Sequence, residues 1–262
     1  MLLPRRLRHH VRLLYAYCRY VDDLGDEALG NRLTQLDEFA EDVERCYTST
    51  PHHPLLQVFQ PTIAEFSLPK EPLLRLIEAN RIDQRKNRYE TYNELLSYCQ
   101  YSANPVGHLF LALLGYSDDE RKRLADATCT ALQLVNFWQD VAEDYEQNRI
   151  YIPLEDMERF QVTEQTIADG KATSSFRQLL AFQCERAEQL FYDGLPLTEM
   201  IRGIARIDVK LFSYGGLAVL DELAANEYNV FQHSIRLTKW RKARLVLKAV
   251  GRLIAAPAHQ PS

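Results

Sequence analysis

Asp22 and Asp26, in YAYCRYVDDLGDE, stand four residues apart, and Asp140 and Asp144, in QLVNFWQDVAEDYEQNRIYIP, repeat the spacing. On an α-helix such residues share a face with their Cβ atoms roughly 5–6 Å apart, where two like charges repel unless a cation sits between them. Around the first pair, Tyr15, Arg19, Asp22 and Asp26 follow at steps of four, three and four, interleaved with Leu14, Cys18 and Val21. Around the second, Gln133, Asn136, Asp140 and Asp144 step by three, four and four through Leu132, Leu134, Val135, Phe137, Trp138, Val141 and Ala142. Each set is a polar seam across an apolar helix, the reverse of an ordinary surface helix with its apolar stripe. Buried carboxylates are costly unless paired or metal-bound. Two facing seams suit Mg²⁺, which takes carboxylate and water oxygens and shares its shell with substrate phosphates. The expectation is a cluster of several Mg²⁺ ions that binds and activates a diphosphate leaving group. A lone Asp pair is ordinarily a solvated helix face, and Asp23 and Glu143, which lie off the seams, fit that description; two seams on apolar helices point to function.

The elements that must hold these seams are helices. Ten Gly and eleven Pro punctuate long stretches of 3.6-type periodicity, with no run of short alternating strands. The pattern predicts helices over Arg5 to Asp23, Arg32 to Tyr47, Leu55 to Phe66, Pro72 to Lys86, Tyr92 to Tyr101 and Val106 to Leu114. Three longer ones follow, Asp119 to Glu146, Ser175 to Leu195 and Ile207 to Ala225, and a basic helix closes the chain from Ser234 to Ile254. Gly25, just before Asp26, reads as a point where the first helix loosens or ends. No segment has the length or Gly/Ser content of an interdomain linker. The expectation is therefore one all-α domain over residues 1–254, with 255–262 as a disordered tail.

Composition excludes several classes of function. The 262 residues carry a net charge of −5 and 46% hydrophobic content, enough for a buried core and without the basic balance of a nucleic-acid-binding protein. The five cysteines are scattered, odd in number and never form C-x-x-C, so neither a zinc site nor a disulfide framework is implied; they read as reduced thiols of a cytoplasmic protein. The N-terminal MLLPRRLRHHVRLLYAYC interrupts its apolar residues with Pro4 and basic residues, unlike a secretory or membrane-spanning segment.

These residues carry a resemblance. Tyr15-Ala-Tyr-Cys-Arg19-Tyr-Val-Asp22-Asp-Leu-Gly-Asp26 resembles the first aspartate-rich motif of the squalene and phytoene synthase family. Gln133-Leu-Val-Asn136-Phe-Trp-Gln-Asp140-Val-Ala-Glu-Asp144-Tyr, continuing to Asn148-Arg149-Ile-Tyr151-Ile-Pro153, resembles the second with its following flap. Motif order, separation and flanking residues agree over nearly the whole chain. The resemblance implies an isoprenoid synthase fold, a helical bundle around a central cavity, and a prenyl diphosphate substrate. It implies Mg²⁺ at Asp22, Asp26, Asp140 and Asp144 with help from Asn136, and Arg19 at the diphosphate. It also places Tyr15, Tyr98, Gln133, Arg149 and Tyr151 at the substrate.

A third family segment lies at Tyr98-Cys99-Gln100-Tyr101-Ser102-Ala103-Asn104-Pro105-Val106-Gly107. Most members have a Val-Ala-Gly-x-Val-Gly run here; Ser-Ala-Asn-Pro-Val-Gly looks most like the bacterial branch of the hopanoid pathway that converts presqualene diphosphate to hydroxysqualene. Pro105 removes a helix donor and Gly107 a side chain, so the helix kinks or breaks there, and Ser102, Asn104 and freed carbonyls can orient water in an apolar pocket. Asn-Pro starting a new helix is a compatible reading. On this reading a cyclopropylcarbinyl cation rearranges and one water adds, so NADPH is not expected. The absence of G-x-G-x-x-G decides little, because squalene synthases of the family use NADPH without it.

Other residues signal less. Asp83, Arg88 and Tyr89, in RIDQRKNRYETY, resemble a family stretch, though a charged helix end is the commoner explanation for such residues. Tyr228, in AANEY, matches a family tyrosine at the cavity mouth and equally fits a packed amphipathic aromatic. His9-His10 and His52-His53 lack ligand spacing and read as surface residues. The basic helix with Arg236, Lys239, Arg241, Lys242 and Arg244 is ordinarily a solvated face; peripheral contact with an anionic membrane, at its inner face, and association with other enzymes of the pathway are the partner expectations beyond the substrate. Family relatives carry an upstream segment with a Phe and a Ser before the Leu-Pro-Arg-Arg-Leu-Arg stretch, whereas this sequence opens near Leu3-Pro4, which leaves the completeness of that end of the cavity open.

Overall fold

The computed structural model describes residues 3–232. They form α1 (Arg5–Asp26), α2 (Arg32–Thr48), α3 (Pro54–Glu65), α4 (Lys70–Asp83), α5 (Tyr92–Ser102), α6 (Asn104–Leu113), α7 (Asp119–Gln139), α8 (Val141–Glu146), α9 (Leu154–Arg159), α10 (Glu164–Ala168), α11 (Ser174–Gly194), α12 (Leu197–Met200) and α13 (Ala205–Ala225). Among the described residues, strand-like pairing is confined to one isolated bridge between Arg88 and Ile150. The fold is all-α, as the periodicity predicts. Local chemistry starts the helices where side chains can replace missing backbone acceptors: Asn31, Thr91, Asp118 and Thr173 each accept from the N–H three residues on.

The long helix predicted from Asp119 to Glu146 is in fact two. Asp140 leaves helical geometry at φ −102°, ψ 16°, ending α7 and opening α8. Its N–H still donates to the Asn136 carbonyl at 2.9 Å, and Asp144 N–H donates to the Asp140 carbonyl at 2.8 Å. The chain turns without stranding the backbone, which is why an apolar period continuing through the break conceals it.

The break between α5 and α6 falls at Ala103, ahead of Pro105, and Pro105 sits in the first turn of α6, where its missing N–H has no cost. Gly107 lies beyond that break, and its lack of a side chain serves helix packing. A Cβ there would stand 2.8 Å from Cys129 Sγ and 3.3 Å from Ala125 Cβ, so the glycine lets α6 lie close on α7.

Two apolar clusters make the core. One gathers α1–α4, α6, α12 and the starts of α7 and α13; the other gathers α5, α9, α11 and the ends of α7 and α13, with Trp138, Phe176 and Phe191 fully buried. Helix α7 runs through both, so its two faces are apolar and only a narrow polar seam remains.

All five cysteines are free thiols. His10 accepts or donates at the Thr62 hydroxyl, 2.9 Å away, and the His53 ring packs on Tyr20 and Phe39, so neither is the plain surface residue its sequence implied. No described helix is long and apolar enough to cross a membrane. The basic helix predicted from Ser234 to Ile254, with Arg236, Lys239, Arg241, Lys242 and Arg244, and the tail 255–262 lie outside the described residues.

Candidate active site

The two seams face each other across a cavity of about 450 Å³ lined by α1, α4, α5, α7, α8 and the segment after α8. Helix α1 contributes Arg19, Asp22 and Asp26, while α7 contributes Gln133, Asn136 and Phe137, with Asp140 at its end and Asp144 on α8. Tyr98 and Ser102 come from α5, and Arg149 and Tyr151 from the flap. The structure thus brings seven of the eight seam residues, all but Tyr15, to one cavity.

Helix α4 supplies what it missed. Asn80 and Asp83 line the same cavity, one turn apart, with Leu76 and Ala79. Asn80 reaches Asp22 because Gly25 has no side chain: a Cβ there would stand 1.9 Å from Asn80 Oδ1. Helix α1 stays intact through Gly25, whose carbonyl accepts from Gln84 Nε2 at 3.0 Å. Gly25 is thus a close-approach position between α1 and α4, and the helix ends only after Asp26.

Asp83 closes α4, as a charged helix end would, and is also a member of the acidic wall. It accepts from Tyr98 OH at 2.5 Å and from Tyr151 OH at 3.3 Å. Burial drives both phenols well above the ordinary tyrosine range, so they stay protonated and donate. Tyr151 stacks on Phe137 with ring centroids 3.8 Å apart, and Tyr89 and Tyr98 complete the aromatic block. A signal for Asp83 was present: Leu76, Ala79, Asn80 and Asp83 share a face at helical steps, another polar seam beside apolar residues.

Electrostatics show that the carboxylates sense one another. Burial, opposed by the Asn80 hydrogen bond and reinforced by Asp26, pushes Asp22 up to about 6. Burial lifts Asp83 to about 6 against the Tyr98 hydrogen bond and the Arg149 charge. Burial and then Asp140 push Asp144 up to about 7, with Asp83 and Asp26 adding to it and Arg149 opposing. Arg149 Nη2 meets Asp26 Oδ1 at 2.7 Å and bridges the two sides.

The flap that carries Arg149 is clamped by its backbone. Arg149 N–H donates to the Asp144 carbonyl at 2.8 Å and Ile150 N–H to the Asn87 carbonyl at 2.9 Å, with Asn148 at a positive φ of 60° making the turn. Arg88 sits outside the cavity: its Nη1 donates to the Asn148 carbonyl at 2.7 Å and its Nε to Glu164 at 2.8 Å, so it fastens the flap.

Other predicted residues fall elsewhere. Arg19 lines the cavity, yet its guanidinium meets Asp23 at 2.7 Å and Glu27 at 3.2 Å. Asn104 is buried with its Oδ1 accepting from Thr130 Oγ1 at 2.9 Å, so it ties α6 to α7 and does not face the acidic cavity. Tyr228 packs near Cys184, Glu185 and Glu188 at the far core cluster and lines neither cavity of the site. These three share a cause: identity and spacing say nothing about which neighbour a side chain finds.

A second, apolar cavity of about 270 Å³ shares α1 and α7 with the first and is closed by α6, α12 and α13. Its wall includes Leu14, Cys18, Val106, Gly107, Phe110, Cys129 and Leu132. Tyr15 stands at its rim, 70% exposed, so it belongs with the apolar space and not with the aspartates.

The donor set fits Mg²⁺: carboxylate oxygens from α1, α7 and α8 and the Asn136 amide, with the Asp22 and Asp144 carboxyls held above their ordinary range by burial and neighbouring carboxylates. Among the described residues no three His, Cys, Asp or Glu side chains converge on one metal position. A Mg²⁺ ion held here would take its remaining ligands from water and phosphate oxygens, as that ion ordinarily does.

Comparison with known proteins bears on this arrangement. Residues 1–241 match the family model for squalene/phytoene synthase. Phytoene synthase of Arthrospira platensis is 32% identical over 92% of this chain and 83% of its own length, and 15-cis-phytoene synthase of Synechocystis is 32% identical over 88% and 73%. Squalene synthase HpnC from Alicyclobacillus acidocaldarius superposes with a TM-score of 0.84 at 45% identity, covering 87% of each chain. A dehydrosqualene synthase superposes with a TM-score of 0.89 at 25% identity, covering 97% and 89%.

Proposed function

This chain belongs to the squalene/phytoene synthase family, whose members process prenyl diphosphates, and from that premise we propose that it ionises presqualene diphosphate and captures the rearranged cation with water to give hydroxysqualene. The observation that carries the reading is the pairing of an acid-lined cavity with an apolar one along α1, α6 and α7. A diphosphate attached to a long hydrocarbon needs such a two-part space, because neither half tolerates the other's wall.

Asp22, Asp26, Asp140 and Asp144, with the Asn136 amide, would hold Mg²⁺, which supplies positive charge to the departing diphosphate when bound. Arg149, fixed between Asp26 and the flap, adds a permanent cation at the same wall. Asp83 orients the hydroxyls of Tyr98 and Tyr151, whose rings line the cavity with Phe137 and supply an aromatic wall for cationic carbon. The apolar walls keep bulk water from the cation, so capture is limited to water held by the protein. The Ser102 to Gly107 segment, with its hydroxyl and its α5–α6 break, favours water over hydride and hence no NADPH.

Purified protein with Mg²⁺ is given either presqualene diphosphate or farnesyl diphosphate, and the lipid is identified by mass spectrometry. Hydroxysqualene from presqualene diphosphate alone is the expected result. Squalene, phytoene or presqualene diphosphate made from two prenyl diphosphates would replace this reading with a head-to-head condensation, the alternative that the phytoene synthase relatives favour. No turnover of either substrate would point to a non-catalytic subunit, a role at odds with two complete aspartate pairs.

A further inference from the structure

The hydroxyl oxygen of Ser102 is sealed from bulk solvent and has no hydrogen-bond partner. Such a group carries a desolvation cost until it finds a hydrogen-bond partner. Its place in the fold says what partner. Tyr98, one turn earlier, lines the acidic cavity; Val106, one turn later, lines the apolar one; Ser102 itself lines the acidic cavity at the α5–α6 break. It therefore stands at the boundary where the cleaved carbon–oxygen bond and the hydrocarbon must meet. The other polar side chain of the segment, Asn104, is committed to Thr130.

We propose that Ser102 is a positioning residue that anchors the capturing water and thereby selects alcohol over the hydrocarbon that loss of a proton from the same cation gives. The assignment rests on the water-capture reading above. A rotation of χ1 between staggered wells turns Oγ toward the cavity. There it accepts one O–H of the water and aims the water's lone pair at the cation. The diphosphate leaves presqualene diphosphate with the electron pair of the broken carbon–oxygen bond. After rearrangement, the water oxygen forms the new carbon–oxygen bond, and the oxonium proton passes to the released diphosphate. Nothing is oxidised or reduced, and Ser102 ends unchanged.

The test uses wild type, Ser102→Ala and Ser102→Thr with presqualene diphosphate and Mg²⁺ in ¹⁸O-water, reading alcohol, hydrocarbon and remaining substrate by mass spectrometry. Wild type should give ¹⁸O-labelled alcohol. Ser102→Ala should lower the alcohol-to-hydrocarbon ratio about tenfold, the effect of one hydrogen bond to the capturing water. Ser102→Thr should restore the ratio. An unchanged ratio in Ser102→Ala, or a fall in consumption with the ratio constant, would overturn the assignment while leaving water capture standing. Wild type that forms no labelled alcohol would overturn water capture itself, and the role of Ser102 with it.

Discussion

Asp22 with Asp26 and Asp140 with Asp144 share one spacing in the sequence and occupy two different settings in the fold. The first pair rides an unbroken helix, with Asn80 hydrogen-bonded to Asp22 and Arg149 ion-paired to Asp26. The second straddles the α7–α8 break, with Asp140 in the turn and Asp144 raised by its charge. The difference is one of compensation. The α1 pair is eased by an amide and a guanidinium, whereas Asp144 has burial and Asp140 against it and only the more distant Arg149 in its favour. The α1 side is the better compensated of the two, so a bound cation would relieve mainly the α8 side.

The largest effect that can break this comparison is loss of a carboxylate. Asp22→Ala and Asp140→Ala should each lower turnover by on the order of 10²- to 10³-fold, the scale of losing one preorganised electrostatic group, with the helical circular dichroism spectrum unchanged. Full activity in both variants would remove the acidic wall from the mechanism.

Gly25→Ala tests the rigidity of the α1 side. The added Cβ overlaps Asn80 Oδ1, so the helices must separate or Asn80 must leave Asp22, at a cost of roughly 1–3 kcal/mol. Chemical denaturation should show that loss together with reduced activity, and Asn80→Ala in the same chain should recover part of the stability but not the activity.

A pH series separates the two sides by charge. Asp144 ionises near 7 and Asp22 and Asp83 near 6 in the fold, against about 3.9 in the unfolded chain. Between those values the folded state binds more protons than the unfolded, so these groups lower stability as pH rises from about 4 to about 7. Without Mg²⁺, thermal melts of Asp144→Asn should exceed wild type at pH 8 and converge with it below about pH 4, where both states are protonated. Asp22→Asn should gain less, because Asn80 already donates to that carboxylate. Mg²⁺ should raise the wild-type melting temperature more at pH 8 than at pH 5.

The smallest effect lies at the opposite end of α7. Asp118 caps that helix at the Arg121 N–H, 3.1 Å away, far from the aspartate seam. Asp118→Ala should cost about 1 kcal/mol, seen as a melting shift of roughly 2–4 °C, with turnover unchanged. Altered turnover would mean that strain at the α7 start reaches its catalytic end.

Much of this was legible in the chain. Helical periodicity located the long helices, because a face that must be buried has to recur every 3.6 residues. The seams identified Asp22, Asp26, Asn136, Asp140 and Asp144, because polar residues persist on an apolar face only where something offsets their burial. Asp83 and Asn80 were harder to weigh, as they lie on a helix whose partner is separated by more than fifty residues.

The sequence by itself determined the helical class, the two acidic seams and their likeness to one enzyme family, all of which are properties of short-range spacing. Only the tertiary structure decided that Asp83 joins the acidic wall, that Asn104 is spent on Thr130, that Arg88 fastens the flap, and that the Ser102 hydroxyl lies buried without a partner in that wall. Those outcomes depend on which side chains meet across helices. A one-dimensional period fixes the face a residue occupies, and the packing of one helix on another fixes its partner.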